Sequence, residues 1–271
     1  MASPSAPPPR VAVVSGAARG IGHATAVKLL RDGWRVGAFD IDEPGLRDLA
    51  EVAAAHGTSV VTGRLDVRDP HQWHAALARV CDERLDLLVN NAGLLSSGPF
   101  VETDLERHRA IVEVNVLGTI NGAHAAFPLL RRAERPVMVN LGSASAMYGQ
   151  PDLATYSATK FAIRGLTEAL ELEWAEHGIA VIDLWPLFVA TEMVEGVDIG
   201  AVRSLGVRLN ETDVADALVH AVERRAGTDG RGLVRRVHHA VGAQARVLTV
   251  ASQVTPAWAN RLITRRLTRR P

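Results

Sequence analysis

Cysteine is almost absent from this chain, and so are long apolar segments. The single thiol, Cys81, cannot form an internal disulfide or a zinc site built from several cysteines. No apolar run approaches the roughly 18 residues that a membrane-spanning helix needs. Residues 1–9 are rich in proline and serine and lack the apolar centre of a signal peptide, so we read them as a flexible leader. These absences favour a cytoplasmic protein.

Lysine and tyrosine are also scarce, and acidic residues are missing from one end of the chain. Lys28 and Lys160 are the only lysines, and Tyr148 and Tyr156 are the only tyrosines. From residue 231 to the end there are nine arginines and no Asp or Glu, although the formal net charge of the whole chain is +0. Residues 241–271 therefore read as a basic tail on an acidic body.

The last part of this tail has an amphipathic pattern. Within residues 259–270, Leu262, Ile263 and Leu267 are spaced among five arginines. Such a segment can lie on an anionic membrane surface, pack against another subunit, bind nucleic acid weakly or stay solvated without a partner. Nucleic acid is the least favoured of these, and peripheral membrane contact stays open.

Short runs rich in Val, Leu and Ile alternate with amphipathic segments over most of the chain. Runs that are apolar on both faces are typical of parallel strands buried between helices. The predicted strands are 10–15, 35–39, 59–63, 85–90, 136–141, 179–185 and, more weakly, 232–237. The predicted helices are 22–31, 43–56, 70–84, 104–132, 154–177 and 212–225. The alternation predicts one α/β domain over residues 10–240, a Rossmann-like doubly wound parallel sheet of about seven strands with helices on both faces.

A glycine-rich turn follows the first predicted strand. Gly16, Gly20 and Gly22 have the spacing G-x3-G-x-G between a strand and a helix. Bare backbone here lets a pyrophosphate approach the helix N-terminus, where free N–H groups and the helix dipole favour an anion. Asp40 ends the second strand, where a carboxylate accepts hydrogen bonds from ribose hydroxyls and repels a 2′-phosphate. Arg19 has the opposite preference, so the sequence leans towards NAD and leaves NADP open.

Tyr156 and Lys160 are four residues apart in a predicted helix, so they lie on one face of it. A free tyrosine has a pKa of about 10 and is a weak base at neutral pH, whereas an adjacent ammonium favours the phenolate. The lysine therefore makes Tyr156 a usable acid and base. Because the chain otherwise uses arginine, a lysine at this position indicates a specific role.

Together these motifs resemble those of the short-chain dehydrogenase/reductase family, in its compact single-domain form, over about residues 10 to 225. Ser15–Gly22 is similar to the family's glycine-rich segment, and Tyr156-Ser157-Ala158-Thr159-Lys160 to its Y-x-x-x-K motif. Five further matches follow the family's order: Asp66-Val67, Asn90-Asn91-Ala92-Gly93, Asn115, Ser143 at 13 residues before Tyr156, and Pro186–Thr191. One departure is visible, since Leu187 stands where the family usually has glycine.

The resemblance implies a role for each match. Ser143 polarises the substrate oxygen, Tyr156 exchanges a proton with it, Lys160 also holds the nicotinamide ribose, and Asn115 binds a water that relays protons to Lys160. The implied cofactor-binding residues are Gly16, Arg19, Gly20, Ile21, Gly22, Asp40, Asp66, Val67, Asn91, Ala92, Gly93, Tyr156, Lys160, Pro186, Val189 and Thr191. The implied pocket residues, several of which could belong to the core instead, are Leu94, Leu95, Ser143, Ala144, Ser145, Met147, Tyr148, Tyr156, Leu187, Phe188 and Met193.

These residues predict an NAD(P)-dependent oxidoreductase that interconverts a ketone or aldehyde and an alcohol by hydride transfer. The apolar lining favours a bulky, uncharged secondary alcohol, and the glycine content of residues 192–210 favours a mobile lid. Two alternatives stay open: a catalytically silent cofactor-binding sensor or scaffold, and a membrane-surface protein that acts through the tail. The resemblance implies a homodimer or homotetramer assembled through the long helices. The spacing of the ten histidines predicts no metal site.

Overall fold

The computed structural model describes residues 8–191, 193, 206–226 and 236–254. Its main sheet has seven parallel strands in the order β3-β2-β1-β4-β5-β6-β9, which confirms the predicted Rossmann-like α/β fold. The strands of this sheet are β1 (Val11–Ser15), β2 (Arg35–Asp40), β3 (Val60–Arg64), β4 (Leu87–Asn90), β5 (Val137–Leu141), β6 (Ala180–Pro186) and β9 (His238–Val241). Two short strands, β7 (Val189–Ala190) and β8 (Leu209–Asn210), form a separate parallel pair.

Helices cover both faces of the main sheet. The helices on the first face are α1 (Gly20–Arg31), α2 (Leu49–Ala55) and α7 (Glu211–Ala226). Those on the second face are α3 (Pro70–Val80), α5 (Gly118–Leu130) and α6 (Ala154–Glu173), with α4 (Leu105–Val112) packed on α6. Helix α8 (Ala243–Val254) follows β9. The arrangement is doubly wound, because the crossover helices divide between the two faces.

The core consists of two apolar layers, one on each side of the sheet. In β1, Ala12 and Val14 belong to the layer under α1, whereas Val11 and Val13 belong to the layer under α3 and α5. This alternation is the period of two that a strand imposes, and both faces are apolar because both are covered. The glycine turn, Asp40 and Ser143 lie at the carboxyl ends of these strands, where the apolar pattern stops.

The predicted helix 104–132 is not uniformly α-helical, and that prediction was wrong in one turn. Asp104 starts α4 by accepting a hydrogen bond from the Glu106 N–H, 3.1 Å away. Helix α4 is then followed by a π turn at Glu113–Leu117, and α5 begins at Gly118. Turns of this kind are rare in proteins and occur often at functional sites. The π turn carries Asn115.

Two further boundaries differ from the prediction. Residues 43–56 divide into a 3₁₀ turn at Glu43–Leu46 and α2, because Pro44 and Gly45 do not suit a continuous α-helix. The last strand is His238–Val241 rather than 232–237, of which residues 232–235 lie outside the described part. The segment predicted as a tail, 241–271, begins with the end of β9 and with α8, and residues 255–271 lie outside the description, as do residues 1–7. None of the helices in the described part combines the length and hydropathy that a membrane crossing needs.

Candidate active site

The glycine turn after β1 has no room for side chains at two of its positions. Gly16 has φ +66°, and a Cβ there would lie 2.7 Å from the Ala92 Cα. A Cβ on Gly22 would lie 2.0 Å from the Gly16 carbonyl oxygen. Helix α1 begins at Gly20, no side-chain oxygen caps its first turn, and no acidic residue lies in that turn. The bare backbone and the uncapped N-terminus fit the pyrophosphate of a dinucleotide.

Asn91 and Ser15 hold this turn in place. The Ser15 hydroxyl oxygen accepts hydrogen bonds from the backbone N–H groups of Asn91, at 3.1 Å, and Ala92, at 3.2 Å. In return the Asn91 amide nitrogen donates to the carbonyl oxygens of Ser15, at 3.0 Å, and Gly16, at 2.8 Å. The turn after β4 is thereby fastened to the turn after β1. In this structure the side chain of Asn91 contacts the glycine turn.

Asp40 lies at the end of β2, beside the glycine turn. One of its carboxylate oxygens accepts a hydrogen bond from the Ala18 N–H and the other from the Asp42 N–H, each at 3.0 Å. Because a carboxylate offers about four lone-pair sites, acceptor capacity remains for ribose hydroxyls. The Arg19 guanidinium pairs with the Asp42 carboxylate at 2.8 Å in an exposed position. The residue expected to repel a 2′-phosphate and the one expected to accept it therefore lie close together.

Asp66 and Val67, the pair expected beside the adenine, follow β3. A hydrogen bond from Arg68 is the main cause that lowers the pKa of Asp66, which holds its carboxyl ionised. The Val67 carbonyl oxygen accepts hydrogen bonds from the Trp73 indole nitrogen and the Asn121 amide nitrogen, both at 3.1 Å. These contacts fix both residues as a rigid wall at the carboxyl end of β3.

Asn115 joins the turn after β4 to helix α6. Its amide oxygen accepts from the Leu94 N–H at 2.7 Å, while its amide nitrogen donates to the Leu94 carbonyl at 2.9 Å and to the Thr159 hydroxyl at 3.1 Å. A Cβ on Gly93 would come within 3.4 Å of the Asn115 oxygen, so the turn lies close against it. Thr159 precedes Lys160, and Asn115 therefore positions the region around the lysine.

Tyr156 and Lys160 lie on one face of α6, with the lysine Nζ 5.4 Å from the centroid of the tyrosine ring. Lys160 is buried and donates a hydrogen bond to the Leu141 carbonyl at 2.6 Å. Burial lowers the pKa of Lys160 to about 8, against the opposing charge of Asp183. Burial raises the pKa of Tyr156 to about 12, against a hydrogen bond with Ser143. Both groups therefore carry their protons at neutral pH. The expected shift of Tyr156 towards the phenolate is not found in this structure, because burial raises the pKa of the phenol.

Ser143 follows β5 and is buried beside Tyr156. Its hydroxyl oxygen accepts a hydrogen bond from the Ser145 N–H at 3.1 Å and lies 3.2 Å from the Ser145 hydroxyl. The Gln150 amide nitrogen donates to the same Ser145 hydroxyl at 3.1 Å. Ser145, expected in the pocket lining, is thus a buried link between Gln150 and Ser143. No motif spacing pointed to Gln150.

An apolar patch surrounds the tyrosine. Leu95, Tyr156 and Leu187 pack against the buried Leu153 and Phe188. Three of the expected pocket residues, Leu95, Leu187 and Phe188, therefore lie in one cluster with Tyr156.

Two other expected pocket residues are not members of this apolar patch. Met147 accepts a hydrogen bond at its sulfur from the Thr249 hydroxyl of α8, at 3.2 Å. Met193 is exposed, and its neighbours at 192 and 194–205 lie outside the described residues, as does most of the predicted lid.

Leu187, the residue that departs from the family pattern, fits its position. Among the described residues other than glycine, Asp152 alone has a positive φ, so the turn after Pro186 does not require glycine at 187. Its side chain instead adds to the patch beside Tyr156. Leucine therefore changes the wall of the pocket without straining the backbone.

The segment after β6 reaches back to the glycine turn. Pro186 is buried at the end of β6, and Val189 is buried in β7. The Thr191 N–H donates to the Val189 carbonyl at 2.8 Å, and the Thr191 methyl would lie 3.4 Å from a Cβ on Gly20. Ile21 packs against the first core layer below. The structure thus brings the expected nicotinamide loop next to the expected pyrophosphate turn.

A row of polar residues across the sheet was missed from the sequence. Asn90 donates to the Asn140 side chain at 3.0 Å, and Asn140 donates to the Thr167 hydroxyl at 2.9 Å. Asp183 lies in the same region and is fully buried. The signal that could have found them is a polar residue inside an otherwise apolar strand, at Asn140 and Asp183. No group of three His, Cys, Asp or Glu side chains gathers as metal ligands would in the part of the chain that the structure covers.

Comparison with known proteins agrees with this geometry. A family model described as short chain dehydrogenase matches residues 10–200. A 3-alpha-(or 20-beta)-hydroxysteroid dehydrogenase from Mycobacterium tuberculosis is 32% identical over 261 residues, which cover 92% of this chain and 96% of that protein.

Two solved structures are also similar. A short chain dehydrogenase from Burkholderia cenocepacia in complex with NADP has a TM-score of 0.79 at 28% identity and covers 97% of this chain and 98% of its own. A short chain dehydrogenase/reductase from Burkholderia phymatum in complex with NAD has a TM-score of 0.77 at 25% identity and covers 91% and 95%. The chain belongs to the short-chain dehydrogenase/reductase family of oxidoreductases.

Proposed function

We propose that this protein is an NAD(P)-dependent oxidoreductase that interconverts a ketone or aldehyde and a bulky, apolar secondary alcohol. The observation that carries the proposal is the pairing of Tyr156 with Lys160 on α6, next to Ser143 and inside an apolar patch. A phenol and an ammonium in this arrangement can exchange a proton with an oxygen atom whose carbon lies among apolar side chains.

The residues at the strand ends suit a nicotinamide dinucleotide. The glycine turn would hold the pyrophosphate, Asp40 the adenosine ribose, and Asp66 and Val67 the adenine. Lys160 would hold the nicotinamide ribose, and Val189 with Thr191 the carboxamide. The similar structures in complex with NAD and NADP support a cofactor of this class. Asp40 favours NAD, and Arg19 leaves NADP possible.

The dinucleotide, when bound, supplies or accepts the hydride. In the reductive direction Ser143 donates a hydrogen bond to the carbonyl oxygen and orients it. Tyr156 donates its proton to that oxygen as negative charge develops there. Lys160 stabilises the phenolate that forms, because an adjacent ammonium favours the charged form of a phenol. Asn115 keeps the backbone around Lys160 in place through Thr159.

The substrate class follows from the patch around Tyr156. Leu95, Leu187 and Phe188 contribute hydrocarbon surface there. A rigid, apolar alcohol would bury the most surface against such a wall, at about 25 cal/mol for each Å². The hydroxysteroid dehydrogenase among the relatives is consistent with a substrate of this size. We therefore expect steroid-like or comparably bulky ketones to be reduced faster than small charged ones.

The first experiment compares the affinities of NADH and NADPH by fluorescence titration. We expect NADH to bind more tightly, by about tenfold or about 1.4 kcal/mol. Tighter binding of NADPH would show that Arg19 outweighs Asp40. If neither binds, the oxidoreductase proposal is wrong.

The second experiment screens uncharged ketones with the preferred cofactor and repeats the best reaction with Tyr156→Phe. Removing the acid should lower kcat by about 10²–10⁴-fold while the cofactor Kd stays within about twofold. Turnover that survives in Tyr156→Phe contradicts the role of Tyr156. Cofactor binding without any turnover in the intact protein favours the silent sensor instead.

The assembly and the location of the protein are also proposals. Leu105, Leu117, Phe161 and Leu172 are exposed along α4, the π turn and α6. Burying them between subunits favours a homodimer or homotetramer, which light scattering on the purified protein can measure. A cytoplasmic location and a membrane contact of the tail remain predictions. Liposome binding before and after deletion of residues 256–271 tests the tail.

A further inference from the structure

Four polar residues occupy one continuous row across the carboxyl half of the sheet. Asn90 pairs in register with Asn140, Asn140 with Asp183, and Asp183 with His238. Neighbours in register point to the same face of a sheet, and this face is the one covered by α6. The inner half of the row consists of neutral amides, whereas the outer half consists of ionisable groups.

His238 is hydrogen-bonded to a carboxylate at each of its ring nitrogens. Its Nδ1 lies 2.8 Å from an oxygen of Asp183, and its Nε2 lies 2.9 Å from an oxygen of Glu168 on α6. A neutral imidazole has one N–H, whereas an imidazolium donates from both nitrogens to two acceptors. The geometry therefore selects the protonated ring. Trp185 stacks on that ring with centroids 4.4 Å apart and fixes its orientation.

Asp183 is the member of this hydrogen-bonded group that lies deepest in the interior, on the side of the strand end where Lys160 is bound. Its side chain is fully buried on β6, and one of its two oxygens has no hydrogen-bond partner within the described residues. Lys160 donates to the carbonyl of Leu141, the residue that follows Asn140, and Asn140 is the register partner of Asp183. A buried carboxylate without an opposite charge is strongly disfavoured. His238 supplies one such charge by direct hydrogen bond, and Lys160, held at the neighbouring strand end by the Leu141 carbonyl, is the other buried cation whose pKa the charge of Asp183 raises.

We propose that Asp183, held ionised by His238 and Glu168, is the buried counter-charge that keeps Lys160 protonated beside Tyr156. The three residues are positioning residues, because none of them touches the reacting atoms. The consequence for turnover rests on the proposed function, whereas the charge state of Lys160 does not. Through this row, His238 on the edge strand β9 influences the protonation of Lys160 on α6.

Positive and negative groups alternate in the series Lys160, Asp183, His238 and Glu168. Asp183 on β6 raises the pKa of Lys160 through its charge. His238 on β9 contacts Asp183 and Glu168, and Arg164 on α6 pairs with Glu168. Burial acts against protonation of His238, but its hydrogen bonds with Asp183 and Glu168 outweigh burial and raise its pKa.

Burial raises the pKa of Asp183, and the hydrogen bond with His238 reduces that increase without reversing it. The pKa of Glu168 is lowered, first by its hydrogen bond with Arg164 and then by His238. Neutralising Asp183 removes the negative charge that counteracts the lowering of the Lys160 pKa by burial. The lysine should then lose its proton at a lower pH than the value of about 8 in the intact protein.

The chain contains only Lys28 and Lys160, which makes a direct test possible. Protein labelled with ¹³C and ¹⁵N in lysine alone gives two side-chain signals, and Lys28→Arg assigns them. Lys28, which pairs with Asp32 on the surface, serves as the internal reference. Titration of the Cε signals measures the protonation of Lys160 without cofactor, substrate or turnover.

We expect Asp183→Asn to lower the midpoint of Lys160 by about one pH unit or more, since the amide keeps the shape and loses the charge. His238→Gln and Glu168→Gln should lower it by less. Glu173→Gln, an exposed carboxylate on the same helix, should leave it unchanged. A folded Asp183→Asn protein with an unmoved Lys160 midpoint overturns the proposal. If Asp183→Asn does not fold, an unmoved midpoint in both His238→Gln and Glu168→Gln overturns it.

The second readout is the pH profile of ketone reduction. In Asp183→Asn the fall in rate at high pH should begin at a lower pH, so the loss relative to the intact protein is larger above pH 8 than below it. A rate lowered equally at every pH would indicate a structural role and contradict the proposal. If no ketone is reduced at all, the proposed function fails while the lysine titration still decides the inference.

Discussion

The glycine turn is built around residues without side chains and is held by neutral hydrogen bonds, whereas the region around Tyr156 contains buried ionisable side chains. Gly16 and Gly22 let the backbone of the turn pack closely, and the Asn91 amide donates to the Gly16 carbonyl. Near Tyr156, Lys160 on α6 and Asp183 on β6 are instead buried ionisable groups, and His238 is hydrogen-bonded to Asp183. The two regions lie in different parts of the site and share none of these residues. The difference implies that binding and proton transfer can be disturbed separately.

The largest expected effect is a loss of turnover, without a loss of nucleotide binding, when Lys160 is replaced. Lys160→Met should lower kcat for ketone reduction by about 10²–10⁴-fold, because Tyr156 loses the ammonium that stabilises its phenolate. Binding of ADP, which lacks the nicotinamide ribose assigned to Lys160, should stay within about twofold. Calorimetry measures that binding, and a thermal melt checks folding. A parallel loss of ADP binding would contradict the separation of the two regions.

The converse change acts at the glycine end. Gly22→Ala places a Cβ 2.0 Å from the Gly16 carbonyl oxygen, so the turn must move. The strain of about 1–3 kcal/mol should raise the Kd for ADP-ribose by about 5- to 150-fold. Gly165→Ala is the matched control: a Cβ there meets nothing within 4 Å, and the exposed helix should gain about 0.5–1 kcal/mol of stability. Equal Kd values for the two variants would show that the turn does not bind the pyrophosphate.

The pH dependence should differ between the regions in the intact protein. The pKa of Tyr156 is raised to about 12, so the tyrosine keeps its proton through the working range. The pKa of Lys160 is lowered to about 8, so its charge is present below that pH and is lost as the pH rises through it. Ketone reduction should therefore fall by up to about tenfold per pH unit above this value. Binding of ADP, which lacks the nicotinamide ribose, should stay flat between about pH 7.5 and 9, and a matching decline would argue against the comparison.

The smallest effect concerns cofactor choice at the end of β2. Asp40→Ala should reduce the preference for NADH over NADPH by about tenfold or less, because the carboxylate no longer repels a 2′-phosphate and Arg19 remains nearby. Two fluorescence titrations measure the change, and Asp216→Ala, an exposed acid on α7, is the control. An unchanged ratio would remove Asp40 from the determinants of specificity.

The fold was largely predictable because buried parallel strands are visible as apolar runs. Six of the seven predicted strands overlap the observed ones, whereas the last strand lies at His238–Val241 instead of 232–237. In that region arginines and histidines obscure the apolar pattern of an edge strand. The π turn at Glu113–Leu117 could not be predicted either, because the local sequence is compatible with an uninterrupted helix.

The candidate site was predictable where its residues are neighbours in sequence. The glycine turn and the pair Tyr156–Lys160 have fixed short spacings that a sequence displays directly. The chain from Asp183 through His238 to Glu168 joins residues from three elements, and only the register of β6 with β9 brings them together. Asp183 alone gave a signal, since a carboxylate inside an apolar strand must have a partner. The sequence could not name that partner.

The short pair of β7 and β8 has a consequence for how this scaffold could acquire new substrates. Val189 pairs with Leu209 and Ala190 with Asn210, so the chain that leaves β7 after residue 190 returns to the same place at residue 209. Because both ends of the intervening segment are fixed by the β7–β8 pair, the segment can be exchanged or lengthened without moving the main sheet. Doubling the length of a loop costs only about 0.6 kcal/mol in closure entropy. Grafting that segment from one relative to another should therefore transfer substrate preference and leave the proton chemistry of α6 intact.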